Sequence, residues 1–104
     1  MVGSMGYKIQ ADYDELGNIA NQFAQEASAT EQLTNQIMSL VGELEGGGWI
    51  GRGADSFYAE MHDLVEPGLQ RLARALEDAS SAVKQASNIL SEAEQEASSL
   101  FGRQ

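Results

Sequence analysis

Residues 46–48 are three consecutive glycines, and the long segments on either side of them repeat apolar residues every seven positions. Adjacent glycines are costly to hold in a helix and readily adopt left-handed or extended conformations, so they predict a reversal of the chain. Two long helices joined by a short link are expected to pack antiparallel. The sequence therefore predicts an all-α fold, a two-helix hairpin that forms one domain over residues 1–104.

The first helix is predicted over residues 12–45, after a flexible N-terminal segment at 1–11. Asp12 and Glu15 have the spacing of a capping box. Glu26 and Thr30 interrupt the apolar stripe midway, so loose packing is expected there. The stripe consists of three neighbouring rows of heptad-spaced residues: Leu16, Phe23, Thr30, Ile37 and Leu44; Ile19, Glu26, Leu33 and Leu40; and Ala20, Ala27, Thr34 and Val41.

The second helix is predicted over residues 54–100, after a turn at 46–53 and before a tail at 101–104. Pro67 cannot donate a backbone hydrogen bond and its ring crowds the preceding turn, so an irregularity is expected near residues 63–67. Small residues dominate the second half of this helix and allow a partner backbone to come close. Its two main rows are Val65, Leu72, Ala79, Ala86, Ala93 and Leu100, and Leu69, Leu76, Val83, Leu90 and Ala97.

These apolar stripes are wider than one antiparallel seam can cover. A lone helix pair leaves part of such a stripe in water, so a second hairpin is expected to complete a four-helix bundle. The residues predicted to form the core or the dimer contact are the large apolar members of the rows: Leu16, Ile19, Phe23, Leu33, Ile37, Leu40, Leu44, Val65, Leu69, Leu72, Leu76, Val83 and Leu90.

The composition argues against several functional classes. A formal net charge of −10 disfavours nucleic acid and anionic lipid surfaces as partners. The chain has no cysteine and a single histidine, His62, which is expected to pair with Glu66 one helical turn later on the surface. No apolar run is long enough to span a membrane stably. The sequence thus predicts no catalytic residue, no cofactor and no metal site, and the protein is not expected to be an enzyme.

The glycine-rich break continues into Trp49-Ile50-Gly51, and Ala54 and Phe57 follow. Placed midway along a chain of about one hundred residues, Trp49, Gly51, Ala54 and Phe57 resemble the signature of the WXG family. That family comprises small early-secreted-antigen-like proteins exported by type VII secretion systems. The resemblance covers about residues 10 to 100.

The resemblance implies a non-enzymatic protein that acts by dimerisation and recognition. It implies a homodimer or a heterodimer with a paralogous hairpin, contact with the type VII secretion machinery, and folding in the cytoplasm before secretion. It also implies that Trp49 and Gly51 contribute to a composite export signal beside the partner's C-terminal tail. A membrane-active secreted effector and a helical adaptor unrelated to secretion are the alternatives.

One feature departs from the family pattern. Members that carry the export signal have Tyr-x-x-x-Asp or Tyr-x-x-x-Glu just after the second helix, whereas here the last tyrosine, Tyr58, is followed four residues later by His62. Three explanations of the missing motif are open. A partner supplies it, the chain is not exported independently, or a longer native tail has been lost. The first of these predicts an export signal assembled in trans.

Overall fold

The computed structural model describes the backbone of residues 2–102 and the side chains of residues 13–100. Three α-helices follow one another: α1 (Val2–Gly46), α2 (Arg52–Glu60) and α3 (Glu66–Gly102). A short π-helical segment, Met61–Val65, joins α2 to α3 without a break. No strand occurs between residues 2 and 102. The predicted all-α hairpin is therefore confirmed.

The helix boundaries differ from the predicted ones at both ends. Helix α1 begins at Val2 and not at Asp12, so residues 2–11 of the predicted flexible segment have a helical backbone. Adding residues to an existing helix costs little, and a favourable cap at Asp12 does not by itself end it. Helix α3 runs to Gly102, into the predicted tail, whose last residues, 103–104, lie outside the described part of the chain.

The helices form two compact units. The terminal unit comprises Met1–Ala24 and Asp78–Gln104, and the turn unit comprises Gln25–Glu77. In the terminal unit, the buried Ser80 hydroxyl donates a hydrogen bond to the Ala20 carbonyl oxygen at 2.8 Å. Nearer the chain ends, the Tyr13 hydroxyl donates to Oε2 of Glu94 at 3.0 Å. Residues early in α1 thus contact residues late in α3, as antiparallel helices require.

Small side chains form the buried seam of the turn unit. Ala27, Thr34 and Val41 of α1 are buried, and they are spaced seven residues apart. Across from α1, Ala54 and Ala73 are buried. The Thr34 hydroxyl donates to the Thr30 carbonyl oxygen at 2.7 Å, which satisfies the hydroxyl within its own helix. Such short side chains let the two backbones approach closely, so the third and least bulky row provides the contact.

None of the thirteen large apolar residues predicted to form the core or the dimer contact is fully buried within the single chain. Eight lie half-buried on the flanks of the seam: Leu16, Ile19, Phe23, Ile37, Val65, Leu69, Leu76 and Val83. Five are exposed: Leu33, Leu40, Leu44, Leu72 and Leu90. The close approach of the small-residue rows leaves no room for leucines between the helices.

The π-helical segment keeps the buried residues of α2 and α3 on the same side, facing the seam. Ala54 and Ala73 are nineteen residues apart, which at about 100° per residue is five full turns and about 100° more. Both are nevertheless buried in the same unit. Within Met61–Val65 the backbone winds more slowly, and the N–H of Glu66 donates to the Met61 carbonyl oxygen, five residues back. The segment thus absorbs one extra residue immediately before Pro67.

We expect deletion of Leu64 combined with Pro67→Ala to turn α2 and α3 into one regular α-helix. Ala54 and Ala73 would then be eighteen residues apart, or about five full turns, and would stay on the same side. The melting temperature, followed by circular dichroism, is expected to change by no more than a few degrees.

Deletion of the exposed Gln32 is the matched control. It rotates Thr34 and Val41 by about 100° away from Ala27, and no π-helical segment in α1 can absorb the change. A large loss of melting temperature is expected for this deletion alone. Equal losses of melting temperature for both deletions would contradict the conclusion that the π-helical segment keeps Ala54 and Ala73 on the same side.

Candidate functional site

The turn that joins α1 to α2 begins with backbone conformations that only glycine adopts readily. The N–H of Gly47 donates to the Glu43 carbonyl oxygen at 2.8 Å, and a Cβ at Gly47 would lie 2.9 Å from that same oxygen. Gly48 has a φ of +86°, in the left-handed region. After it, the N–H of Trp49 makes a longer contact of 3.4 Å with the Leu44 carbonyl oxygen. The glycines therefore end α1 and turn the chain.

Gly51 starts the next helix. It is the N-cap of α2 with a φ of +120°, which side-chain-bearing residues rarely adopt. Its carbonyl oxygen accepts the N–H of Asp55 at 2.9 Å, which closes the first helical turn. The Asp55 carboxylate also lies in the first turn, where the helix dipole favours negative charge. The backbone conformation at this position therefore requires the glycine of the Trp-x-Gly motif.

Three aromatic rings pack together over this turn. The ring of Trp49 lies 5.3 Å from that of Phe57, tilted by 59°, and 5.6 Å from that of Tyr58, nearly edge-on at 84°. The Tyr58 hydroxyl donates to the Trp49 carbonyl oxygen at 2.8 Å. These contacts hold Trp49 against the first turns of α2. Sequence reasoning paired Trp49 with Phe57 but missed Tyr58, whose only signal was its position next to Phe57.

The Trp49 side chain is only partly buried at the end of the hairpin. Its side chain remains 45% exposed, and its neighbour Ile50 is 83% exposed. Ala54, one helical turn before Phe57 and Tyr58, is the buried member of the predicted motif. The predicted motif residues thus have three local roles: Gly51 caps α2, Ala54 packs inside, and Trp49 with Phe57 forms a partly exposed aromatic surface.

His62 bridges the turn and does not pair along its own helix as the sequence suggested. Its Nε2 lies 2.6 Å from Oε1 of Glu45 in the last turn of α1. The hydrogen bond to Glu45 raises the pKa of His62 above its usual value, partial burial acts in the opposite direction, and the charges of Glu45, Glu66 and Asp63 add to the rise. The pair therefore ties the end of α1 to the π-helical segment.

Burial, Glu45 and Asp55 together raise the pKa of Tyr58 above its usual value. Tyr58 thus stays a neutral donor to the Trp49 carbonyl oxygen at physiological pH. Within residues 13–100, no three His, Asp or Glu side chains gather as a metal site would require. Among the described helices, none has a stretch both long and apolar enough to cross a membrane.

Residues 8–95 match the family described as proteins of 100 residues with WXG, called WXG100. The chain belongs to the WXG100 family. Its Trp49 and Gly51 supply the tryptophan and glycine of the family name, in the turn of the hairpin. No curated protein and no solved structure matches the chain significantly. Proteins of the WXG100 family are small helical proteins secreted by type VII systems, and this chain is of that type.

We expect Trp49→Ala to lower the free energy of unfolding of this WXG100 protein by about 2 kcal/mol. Full burial of a tryptophan gives a loss of roughly 3–5 kcal/mol, and nearly half of this side chain is exposed. Ile50→Ala, one residue away and far more exposed, is the control, with an expected change within about 0.5 kcal/mol. Urea unfolding at one protein concentration measures both, and equal losses would show that the aromatic contacts do not stabilise the turn.

The contact between His62 and Glu45 predicts a pH-dependent stability. Because the pKa of His62 is raised in the folded state, its contribution is complete below the unfolded value of about 6.5 and disappears as pH rises through the folded pKa. The melting temperature of the WXG100 protein should therefore exceed that of His62→Gln most below about pH 6.5, and the difference should close as pH rises above that value through the raised folded pKa.

Glu45→Gln should remove the same pH-dependent difference. Glu43→Gln, which removes an acid from the same stretch of α1, serves as the control and should leave the difference in place. If Glu43→Gln removed the difference as fully as Glu45→Gln, general surface charge and not the observed contact would be its cause.

Proposed function

We propose that this WXG100 protein is a non-enzymatic recognition protein that pairs with a second helical hairpin into a four-helix bundle. The observation that carries the proposal is a face of exposed leucines on the turn unit, called here the leucine face. It consists of Leu33, Leu40 and Leu44 of α1 and Leu72 of α3. Membership of the WXG100 family, whose proteins are secreted by type VII systems, supports a role for this pairing in type VII secretion.

The four leucines share one side of the turn unit. Asn35 of α1 and Arg74 of α3 line one polar groove, so these two residues lie on the same side of the helix pair. Each immediately follows a buried seam residue, Thr34 or Ala73, whereas Leu33 and Leu72 immediately precede them. Successive helical residues point about 100° apart, so the leucines lie on the side opposite the groove.

The rest of the face follows by spacing. Leu40 is seven residues after Leu33, and Leu44 is one helical turn after Leu40, so α1 presents a continuous leucine stripe. Full burial of a leucine is worth about 1.5–3 kcal/mol, and each of these side chains is about half exposed. Covering one therefore contributes about 1 kcal/mol. A contiguous set of this kind marks an interaction surface.

The seam inside the chain also favours a partner. In the turn unit its buried residues are three alanines, one valine and one threonine, so they remove little apolar surface from water. The larger apolar side chains are left on the flanks or exposed. A second hairpin set on the leucine face would bury them and complete the core that the sequence pattern provides.

Our proposal for the turn is that Trp49 and Gly51 form part of an export signal that is read after folding in the cytoplasm. Two features support it: the Trp49 side chain is held in a fixed position by Phe57 and Tyr58, and it is still partly open to a partner. Ile50 enlarges the apolar surface at the same place. The surface is thus available for contact with the tail of a partner hairpin.

We expect Leu33→Glu with Leu40→Glu to weaken association by at least about a hundredfold, because two carboxylates would replace buried leucines. The measurement is sedimentation equilibrium of the purified protein, with circular dichroism to verify that the helices remain. Gln32→Glu with Gln36→Glu is the control, since these exposed residues add the same charge on the far side of α1. The proposal is overturned if the two leucine substitutions leave association unchanged while the helices remain.

A further inference from the structure

One acidic residue, Glu26, continues the leucine stripe of α1. It lies seven residues before Leu33 and fourteen before Leu40, so it occupies the same row of the helix. Its side chain is exposed, and its backbone carbonyl oxygen accepts the hydroxyl of Thr30 at 2.7 Å. A hairpin that covers Leu33 and Leu40 along this row also approaches the Glu26 carboxylate.

A carboxylate taken out of water at such a contact is strongly unfavourable unless it is paired with a cation. A charge in an otherwise apolar row is also a means by which paired helices select their partner. The Glu26 carboxylate therefore needs a lysine or arginine from one of the two paired chains.

The described cations of the turn unit lie off the leucine face. Arg74 lines the polar groove on the opposite side, and Arg71, one residue before Leu72, points about 100° away from it. Arg52 starts α2 beside the turn. Lys84 of the terminal unit is twelve residues after Leu72 in the sequence and therefore does not belong to its heptad row. Among residues 13–100, no lysine or arginine shares the rows of the leucine face.

We infer that the partner on the leucine face is a hairpin of different sequence that carries a lysine or arginine opposite Glu26. This inference rests on the proposed function and names its partner. A second copy brings another carboxylate to the row and, within residues 13–100, no cation in the rows of its leucine face. Two copies also join chains that each have a formal net charge of −10, whereas a less acidic partner reduces that repulsion.

The first experiment measures self-association of the full chain by sedimentation. We expect Glu26→Gln, which keeps the shape and removes the charge, to tighten self-association at least about tenfold. Glu31→Gln is the matched control, because it removes one exposed acid from the same helix on the groove side, and a change within about twofold is expected. Equal effects of the two substitutions overturn the inference.

The second experiment supplies the cation. Copies of the chain with Arg at one of four positions, Leu33→Arg, Leu40→Arg or Leu72→Arg on the leucine face or Leu76→Arg on the flank of the seam, are each mixed with wild type or with Glu26→Gln. We expect at least one of them to bind the wild type about fivefold or more tightly than it binds Glu26→Gln, since this comparison isolates the contact between Arg and Glu26. No such preference at any of the four positions overturns the inference.

The two failures can be told apart. If Leu33→Glu with Leu40→Glu abolishes association but neither Glu26 experiment gives the expected difference, the pairing face is supported and the choice of partner is wrong. If the leucine substitutions leave association unchanged, the proposed function is wrong as well.

Discussion

The small-residue seam between antiparallel helices is the contact on which the rest of this structure depends. Ala20, Ala27, Thr34 and Val41 of α1 are buried at successive heptad positions. The Ser80 hydroxyl reaches the Ala20 backbone oxygen at 2.8 Å, and so short a side chain can do this only where the two helices are close. The helices pack through the close approach of their backbones and not through bulky side chains. The larger side chains lie on the flanks of this contact.

The position of the larger side chains links the packing to the proposed function. The four leucines of the leucine face remain on the surface of the turn unit, on the side away from the polar groove. The hairpin is thus stabilised by a contact that buries little apolar area, and we propose that its larger apolar residues contact a second hairpin. In our proposal, Glu26 within that stripe also selects the partner, because a carboxylate at such a contact needs a group of opposite charge.

The turn and the π-helical segment keep the seam aligned near the reversal of the chain. Gly51 at a φ of +120° sets the direction of α2, and the rings of Phe57 and Tyr58 hold Trp49 over it. The extra residue absorbed by Met61–Val65 then brings Ala73 back to the side of Ala54. His62 lies in this segment and its Nε2 contacts the Glu45 carboxylate of α1, so one side-chain hydrogen bond joins the end of α1 to the π-helical segment.

The sequence by itself determined the helices, the site of the reversal and the family. Heptad periodicity, three adjacent glycines and Trp49-Ile50-Gly51 are local signals that need no knowledge of the opposite helix. Only the tertiary structure decided which of three apolar rows forms the seam. All three rows have the same period, and the choice depends on how closely two backbones approach. It likewise decided that His62 pairs with Glu45 and that Tyr58 donates to the Trp49 carbonyl oxygen, because chain reversal brings together residues that no sequence spacing connects.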